Sequence, residues 1–369
     1  MDNKRYNWQH PDWPKFTYDL ADMRNLIRHY LLESGLLFGR IEQLSEEMQR
    51  EAVIDRMVNE AQKSSKIEGE KIDYEDIRSS IRKELGIPTL HKIKDARAIG
   101  IAKLMVSVRQ TFDQPLTEKR LFDWHAMVMN GLKPHSHVDV GKYRTGKEPM
   151  QIISGAMGRE IVHFGAPPSE IVPKEMKKFI CWFNFSAKQI PGVVHAAISH
   201  LYFESIHPFD DGNGRIGRAI AEKALAEELG RPILFSLSAI IEPKKKKYYQ
   251  ELSSASRCDL EITPWINYFL KTILASQEEA KKKIDFAINK SKFWKKFQST
   301  LNERQEKVLM RMFEAGPKGF IGGINAHKYM SITKCSKATA TRDLAQLVQL
   351  GCLMRSKSGG RSTGYILKY

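Results

Sequence analysis

The chain has 369 residues, 42% of them hydrophobic, and a formal net charge of +16. That length points to two or three domains, and the apolar content is ample for packed cores, which excludes wholesale disorder. Four cysteines without CxxC spacing argue against a zinc site or disulfide framework, no run of about 18 apolar residues is present to span a membrane, and the positive charge points to polyanionic partners. With no apolar leader at the start, a cytoplasmic location is expected.

Residues 1–20 are rich in aromatics and proline (Trp8, Pro11, Trp13, Pro14, Phe16, Tyr18) and read as an extended segment laid over a core. From Leu20 to Leu85 the apolar spacing is helical, with Leu26, Ile27, Tyr30 and Leu31, then Val53, Ile54, Met57 and Val58. Within it Ser64 and Glu68 stand four apart on one helix face, and Gly69 is a plausible helix stop. Further helices are expected at Ala96–Arg109, Thr117–Met129 and Pro173–Asn184. Between Gly141 and Pro168, glycines punctuate short apolar runs at Gln151–Ser154 and Glu160–Phe164, the pattern of a β-hairpin. Helices resume at Val193–Glu204, Arg215–Glu228, Lys246–Ser256 and Thr263–Ala280, with His195 and His200 expected as core or supporting residues. A basic stretch from Lys281 reads as a solvated helix face leading to a linker. From Leu301 onward twelve Lys and Arg face four Asp and Glu, which marks a separate basic domain. Its pattern is a helix at Arg304–Glu314, a turn, a short helix at Asn325–Met330, and a longer one from Ser336 to Leu350 with Ser336 as N-cap and Gly351 as stop. Two short strands follow, Cys352–Arg355 and Tyr365–Leu367.

One segment carries chemistry: His207-Pro208-Phe209-Asp210-Asp211-Gly212-Asn213-Gly214-Arg215-Ile216-Gly217-Arg218. Gly212, Asn213 and Gly214 form a tight turn before a helical pattern, where unpaired N–H groups and the positive dipole end cradle phosphate. Arg215 and Arg218, three apart, share a helix face and can grip phosphates in bidentate fashion. Asp211 is a single carboxylate beside that cradle, the usual way Mg²⁺ is held together with phosphates and water. His207 precedes it, an imidazole of the kind that serves as a general base near neutral pH.

This segment resembles the Fic family signature, H-x-F-x-(D/E)-G-N-G-R-x-x-R, at every fixed position. The stretch Gly141-Lys142-Tyr143-Arg144 to Pro167-Pro168 resembles the family's flap, Tyr248-Tyr249 its adenine-side helix, and the opening YNWQHPDWPKF a domain that often precedes such cores in bacteria. The resemblance implies AMP transfer from Mg-ATP to a Ser, Thr or Tyr hydroxyl of a protein. In it His207 takes the hydroxyl proton and Asp211 holds Mg²⁺. Gly212, Asn213 and Gly214 hold the α and β phosphates, Arg215 the outer phosphates and Arg218 the γ-phosphate, while Phe209 packs inward. Ile152, Ile153, Ser154 and Gly155 border ATP on the flap, whose edge would pair with an extended target segment. Ser64-Ser65-Lys66-Ile67-Glu68-Gly69 resembles the family's inhibitory pattern, (S/T)-x-x-x-E-(G/N), which implies that Glu68 pairs with Arg218 and occupies the γ-phosphate site.

The run from Ser336 to Leu353 resembles a winged helix. On that likeness Lys337, Thr341 and Arg342 line a helix suited to a DNA major groove, and Lys357 and Arg361 on the wing touch phosphates. Winged helices also dock proteins, so DNA contact and protein contact or assembly, a homodimer included, both stay open. The expected architecture is mainly α: an N-terminal inhibitory and cover domain over residues 1–95, a Fic-type core with a hairpin flap over 96–280, a basic linker at 281–300, and a winged helix over 301–369. The expected function is that of an autoinhibited protein adenylyltransferase acting on a target protein or on itself, with no membrane partner. The alternatives are a DNA-binding regulator whose core senses nucleotide, or an enzyme that also removes AMP.

Overall fold

The structure is a computed structural model that describes residues 6–132, 138–146, 150–154, 161–257, 259–356 and 364–368. It is mainly α-helical and divides into two compact units: residues 1–36 with 51–278, and residues 37–50 with 279–369. In chain order the helices before the hairpin are α1 (Arg24–Ile41), α2 (Glu46–Ile67), α3 (Tyr74–Glu84), α4 (Ala96–Gln110) and α5 (Glu118–Val128). Strands β1 (Gln151–Ser154) and β2 (Ile161–Gly165) pair antiparallel, with a register shift between Ile152 and Ile153. Then come α6 (Val172–Ser186), α7 (Gly192–Ile206), α8 (Asn213–Leu229), the short α9 (Leu237–Ile241), α10 (Lys245–Ala255) and α11 (Thr263–Phe297).

The first unit is organised around α7. Every residue from Gly192 to Ile206 is buried, and apart from His195, His200 and Glu204 the helix is apolar or small on all sides, as a buried helix requires. It packs lengthwise on α8, and α4, α5 and α6 close around the pair. His195 and His200 lie inside, as expected, and burial drives the His195 pKa down to about 4. The helix starts follow side-chain caps: Asp73 for α3, Asp95 for α4, Thr117 for α5 and Ser236 for α9 each accept from a first-turn N–H. The aromatic N-terminal segment, expected to be extended, instead forms a 3-10 turn at Asn7–Gln9 and further turns through residue 14, because its backbone N–H groups bond locally, and only single bridges join Tyr6 to Arg257 and Thr17 to Glu261.

The second unit continues with α12 (Glu303–Phe313), α13 (Ala326–Thr333), α14 (Lys337–Gln349) and strands β3 (Leu353–Arg355) and β4 (Tyr365–Leu367). Ser336 caps α14 as expected, and Asn302 opens α12 with a reciprocal capping box to Gln305. Its core joins Val308, Leu309, Met312, Phe313, Ile324, Tyr329, Leu344 and Leu347 to Phe293 and Phe297. A linker was expected at 281–300. Instead the chain is helical to Phe297, because the lysines share the stretch with Ile284, Ile288, Phe293 and Phe297 at helical spacing, and those four are buried. The expected boundary near residue 95 has no counterpart in the compact units, and residues 37–50 go with the C-terminal one.

Candidate active site

α7 ends at His207 because Pro208 follows and disfavours helical backbone before it. His207 turns left-handed, with φ 50° and ψ 62°, and donates its N–H to the Phe203 carbonyl at 3.0 Å. For a histidine that conformation costs on the order of 1–3 kcal/mol and persists only when its surroundings fix it. Arg144, itself buried, does so: its Nε donates to the His207 carbonyl at 2.8 Å, and its Nη atoms reach Ser169 Oγ and the Pro167 and Ile206 carbonyls. The Asn213 side chain then closes the loop, accepting from the Phe209 N–H at 3.0 Å and donating to the Phe209 carbonyl at 2.7 Å. Phe209 is fully buried and stacks on His125 with ring centroids 4.1 Å apart.

Gly212 takes φ +81° just before α8, a left-handed backbone angle that favours glycine, and a Cβ there would also press on the flexible end of Met129 at 2.8 Å. The first turn of α8 leaves its N–H groups without intrahelical partners. A Cβ on Gly214 would lie 2.2 Å from Glu68 Oε1. The Glu68 carboxylate therefore occupies the space beside Gly214, at a helix N-terminus that attracts anions.

Each signature arginine is paired with a carboxylate from the turn that ends α2. Arg218 Nη2 lies 2.8 Å from Glu68 Oε1, and its Nε and Nη2 donate to Ser64 Oγ and the Ser64 carbonyl at 2.9 and 3.0 Å. Burial works against the Arg218 charge, and the Glu68 carboxylate more than offsets it, raising Arg218 above the ordinary guanidinium value. Arg215 Nη1 lies 2.9 Å from Glu70 Oε1, and its Nη2 lies 3.4 Å from Asp211 Oδ1. The turn itself is set by Gly69 at φ +87° and by the Glu70 N–H donating to the Ser65 carbonyl at 3.0 Å.

Behind His207, Glu204 Oε2 stands 3.6 Å from Nδ1. Burial pushes the Glu204 carboxyl up, but His207, His200 and Arg218 together hold it below its ordinary value. Tyr248 is buried, its hydroxyl 2.7 Å from His200 Nε2, whereas Tyr249 is partly exposed and its hydroxyl lies 3.4 Å from Glu68 Oε2. Asp211 is the carboxylate of the turn, and its side chain is 53% exposed. One accessible carboxylate beside an anion cradle fits Mg²⁺, which takes one or two carboxylates with phosphates and water. Asp73, Asp76 and His91 also approach one another, but Asp76 already accepts from His91 and the Lys94 and Asp95 N–H groups, and Asp73 caps α3.

The structure thus brings together His207, Phe209, Asp211, Gly212, Asn213, Gly214, Arg215, Arg218, Ser64, Glu68 and Tyr249. Ile152, Ile153 and Ser154 form β1, opposite Phe164, Val162 and Ile161 of β2. Gly155, Lys357 and Arg361 lie outside the described residues. Lys337, Thr341 and Arg342 are exposed on α14, in the second unit. Four residues of the site were not singled out from sequence for any role in it: Glu70, Glu204, His125 and Arg144, the last only quoted within the flap run. For Glu70 the signal was its place two residues after Glu68. Arg144 and His125 gave none, because their partners lie 63 and 84 positions away.

Residues 115–225 match the family described as Fic/DOC, and residues 6–87 match one described as a domain of unknown function. A probable protein adenylyltransferase of Aquifex aeolicus (strain VF5) is 40% identical over 72 residues, covering 18% of this chain and 22% of the relative. The protein adenylyltransferase Fic of Nematostella vectensis is 24% identical over 214 residues, 56% of this chain and 44% of the relative. The chain therefore spans less than half the length of either relative. The crystal structure of a Fic family protein from Desulfovibrio desulfuricans G20 is similar with a TM-score of 0.53 at 21% identity, over 93% of this chain and 96% of that one, a likeness of fold.

Proposed function

We propose that this chain, which carries a Fic/DOC domain, is a protein adenylyltransferase that moves AMP from ATP to a hydroxyl of a target protein and is held inactive by Glu68. The observation that carries the proposal is the meeting of His207, at the end of α7, with the Gly212–Gly214 turn and two guanidinium groups at the start of α8. His207 takes the proton of a Ser, Thr or Tyr hydroxyl as its oxygen bonds to the α-phosphorus. The bond from that phosphorus to the bridging oxygen breaks, and pyrophosphate leaves. General-base action of this kind supplies about 10²–10⁴-fold. The α8 N–H groups and Arg215 hold the phosphates, Arg218 takes the γ-phosphate, and the β1 edge pairs with an extended target segment. Asp211 would hold Mg²⁺, which supplies charge neutralisation at the phosphates.

With Glu68 seated on Arg218, the γ-phosphate site is filled by a carboxylate. Replacing Glu68→Gly should therefore raise self-labelling from radiolabelled ATP sharply, and His207→Ala should remove it in either background. Equal labelling with and without Glu68 would exclude the brake. Whether the same carboxylate also aligns water to remove AMP is read from loss of label after ATP is washed out of the unsubstituted chain.

A second reading concerns the basic unit. Lys337, Thr341 and Arg342 are exposed on one helix whose opposite face, Ala340, Leu344 and Leu347, is buried, an arrangement that suits groove contact in a winged helix. Salt-dependent retention on duplex DNA, lost in Lys337→Glu with Arg342→Glu, is the expected result. No retention at low salt assigns this unit to protein contact instead.

A further inference from the structure

The first described residues of the chain touch the hairpin and the end of α7 at once. The Trp8 indole N–H donates to the Gly165 carbonyl at 2.7 Å. The Tyr6 ring lies against Gly165 so closely that a Cβ there would be 2.8 Å from Tyr6 Cε2, and it meets Phe164 edge-on at 5.0 Å. Between them Asn7 is buried: its Nδ2 donates to Ser205 Oγ at 2.8 Å and its N–H to the Ser256 carbonyl at 3.0 Å. Ser205 stands two residues before His207. Gly165 pairs with Gln151, the first residue of β1, so a hold on Gly165 acts on the base of both strands.

Two strands alone are marginal in water and need outside support. If an edge of this hairpin is to present a hydroxyl to His207, its height above that imidazole must be fixed, because a misplacement of about 1 Å can cost on the order of 10²-fold in rate. The supports available are specific. One N–H to one carbonyl sets height, one ring on a glycine sets distance, and one amide to Ser205 ties both to the helix that carries the base.

We propose that Tyr6, Asn7 and Trp8 are positioning residues for the transfer reaction, bracing the outgoing strand of the hairpin against the end of the helix that leads into His207. This gives the N-terminal region a role in catalysis separate from the Glu68 plug. It rests on the reading that the β1 edge docks the target segment.

The test uses the full chain carrying Glu68→Gly, with Trp8→Phe, which keeps an aromatic ring but removes the indole N–H, and Tyr6→Leu, which removes the ring contact. Amide hydrogen exchange at residues 150–154 and 161–165 is measured without nucleotide. Self-labelling with radiolabelled ATP and ATP affinity are measured on the same samples. Exchange there should rise about five- to tenfold, self-labelling at saturating ATP should fall about tenfold, and ATP affinity should stay within twofold. A general loss of stability would move ATP affinity as well, and that result overturns the positioning role. Unchanged exchange in both variants overturns the brace. Faster exchange with unchanged labelling overturns the positioning role and the docking reading together. Exchange needs no transfer activity, so a parent that labels nothing sinks the proposed function while the brace is still read. If Tyr6→Leu does not fold, Trp8→Phe carries the test alone.

Discussion

Around α7 and α8 the first unit buries Glu204, Arg215, Arg218, Glu222 and Lys223, whereas the core on α12, α13 and α14 buries Asp343 as its charged residue among those described. Asp343 is fully used: Arg304 Nε lies 2.9 Å from its Oδ2 and the Tyr329 hydroxyl donates to the same oxygen at 3.0 Å. Desolvating charge is costly, and a buried pair seldom adds net stability over apolar packing. The second unit accepts one such group as a fastener between helices. The first accepts several, next to a turn whose N–H groups invite an anion. Buried charge that fastens has every partner in place, while in the first unit Arg218 Nη1 and Glu204 Oε1 are buried without a hydrogen-bond partner. Orphaned polar atoms of that kind mark a site arranged for something besides folding.

The contrast can be broken by substitution. The largest effect is expected at His207, where Ala should lower AMP transfer by about 10²–10⁴-fold with melting little changed, as scored by radiolabel in the Glu68→Gly background. Next, Asp343→Ala should destabilise the second unit by roughly 2–3 kcal/mol, since it strips partners from Arg304 and from the buried Tyr329 hydroxyl. Two-transition calorimetry with AMP transfer unaffected is the expected result, and loss of transfer would mean the units are not separable in function. Glu68→Gly should cost the first unit about 1–3 kcal/mol by leaving the Arg218 charge unpaired, and saturating ATP should restore the loss. A variant as stable as its parent without ATP would make the Glu68 pair a surface ornament.

An effect that vanishes at neutral pH separates the units by acid. Burial between Trp182 and Phe183 lowers the His195 pKa to about 4, against about 6.5 when unfolded. The unfolded chain therefore binds the extra proton between those values. The stability that neutral His195 contributes is complete above about pH 6.5 and is lost progressively as pH falls toward 4, at up to about 1.4 kcal/mol per pH unit. His195→Phe should flatten that part of the first unit's pH profile. The second unit's core contains no histidine among its described residues, so its profile should not change.

Much of this was legible in the sequence for a physical reason. The Gly212–Gly214 turn, Arg215, Arg218 and His207 lie within twelve consecutive residues, so local order alone assembles them. Ser64 and Glu68, four apart, read as one helix face, but α2 stops at Ile67 and Glu68 reaches Arg218 from the turn that follows. The role of Arg144 is invisible in the sequence, because a side chain that steadies His207 from 63 residues away leaves no trace in spacing. The extent of α11 was hidden by its lysines: the charge spoke for a linker, and only burial shows that Ile284, Ile288, Phe293 and Phe297 make the inner face. Tyr248 and Tyr249 are neighbours in sequence, yet a helix points them differently, one into the core and one toward Glu68.

The gap next to Gly214 is narrower than a methyl group while Glu68 is in place. On the proposed function, inhibitor and substrate would share one berth, its width set by a hydrogen atom. Widening it for easier loading would then loosen the stopper, and shrinking it for firmer silence would shut out the triphosphate. Control would come from moving the glutamate rather than from reshaping what it sits in.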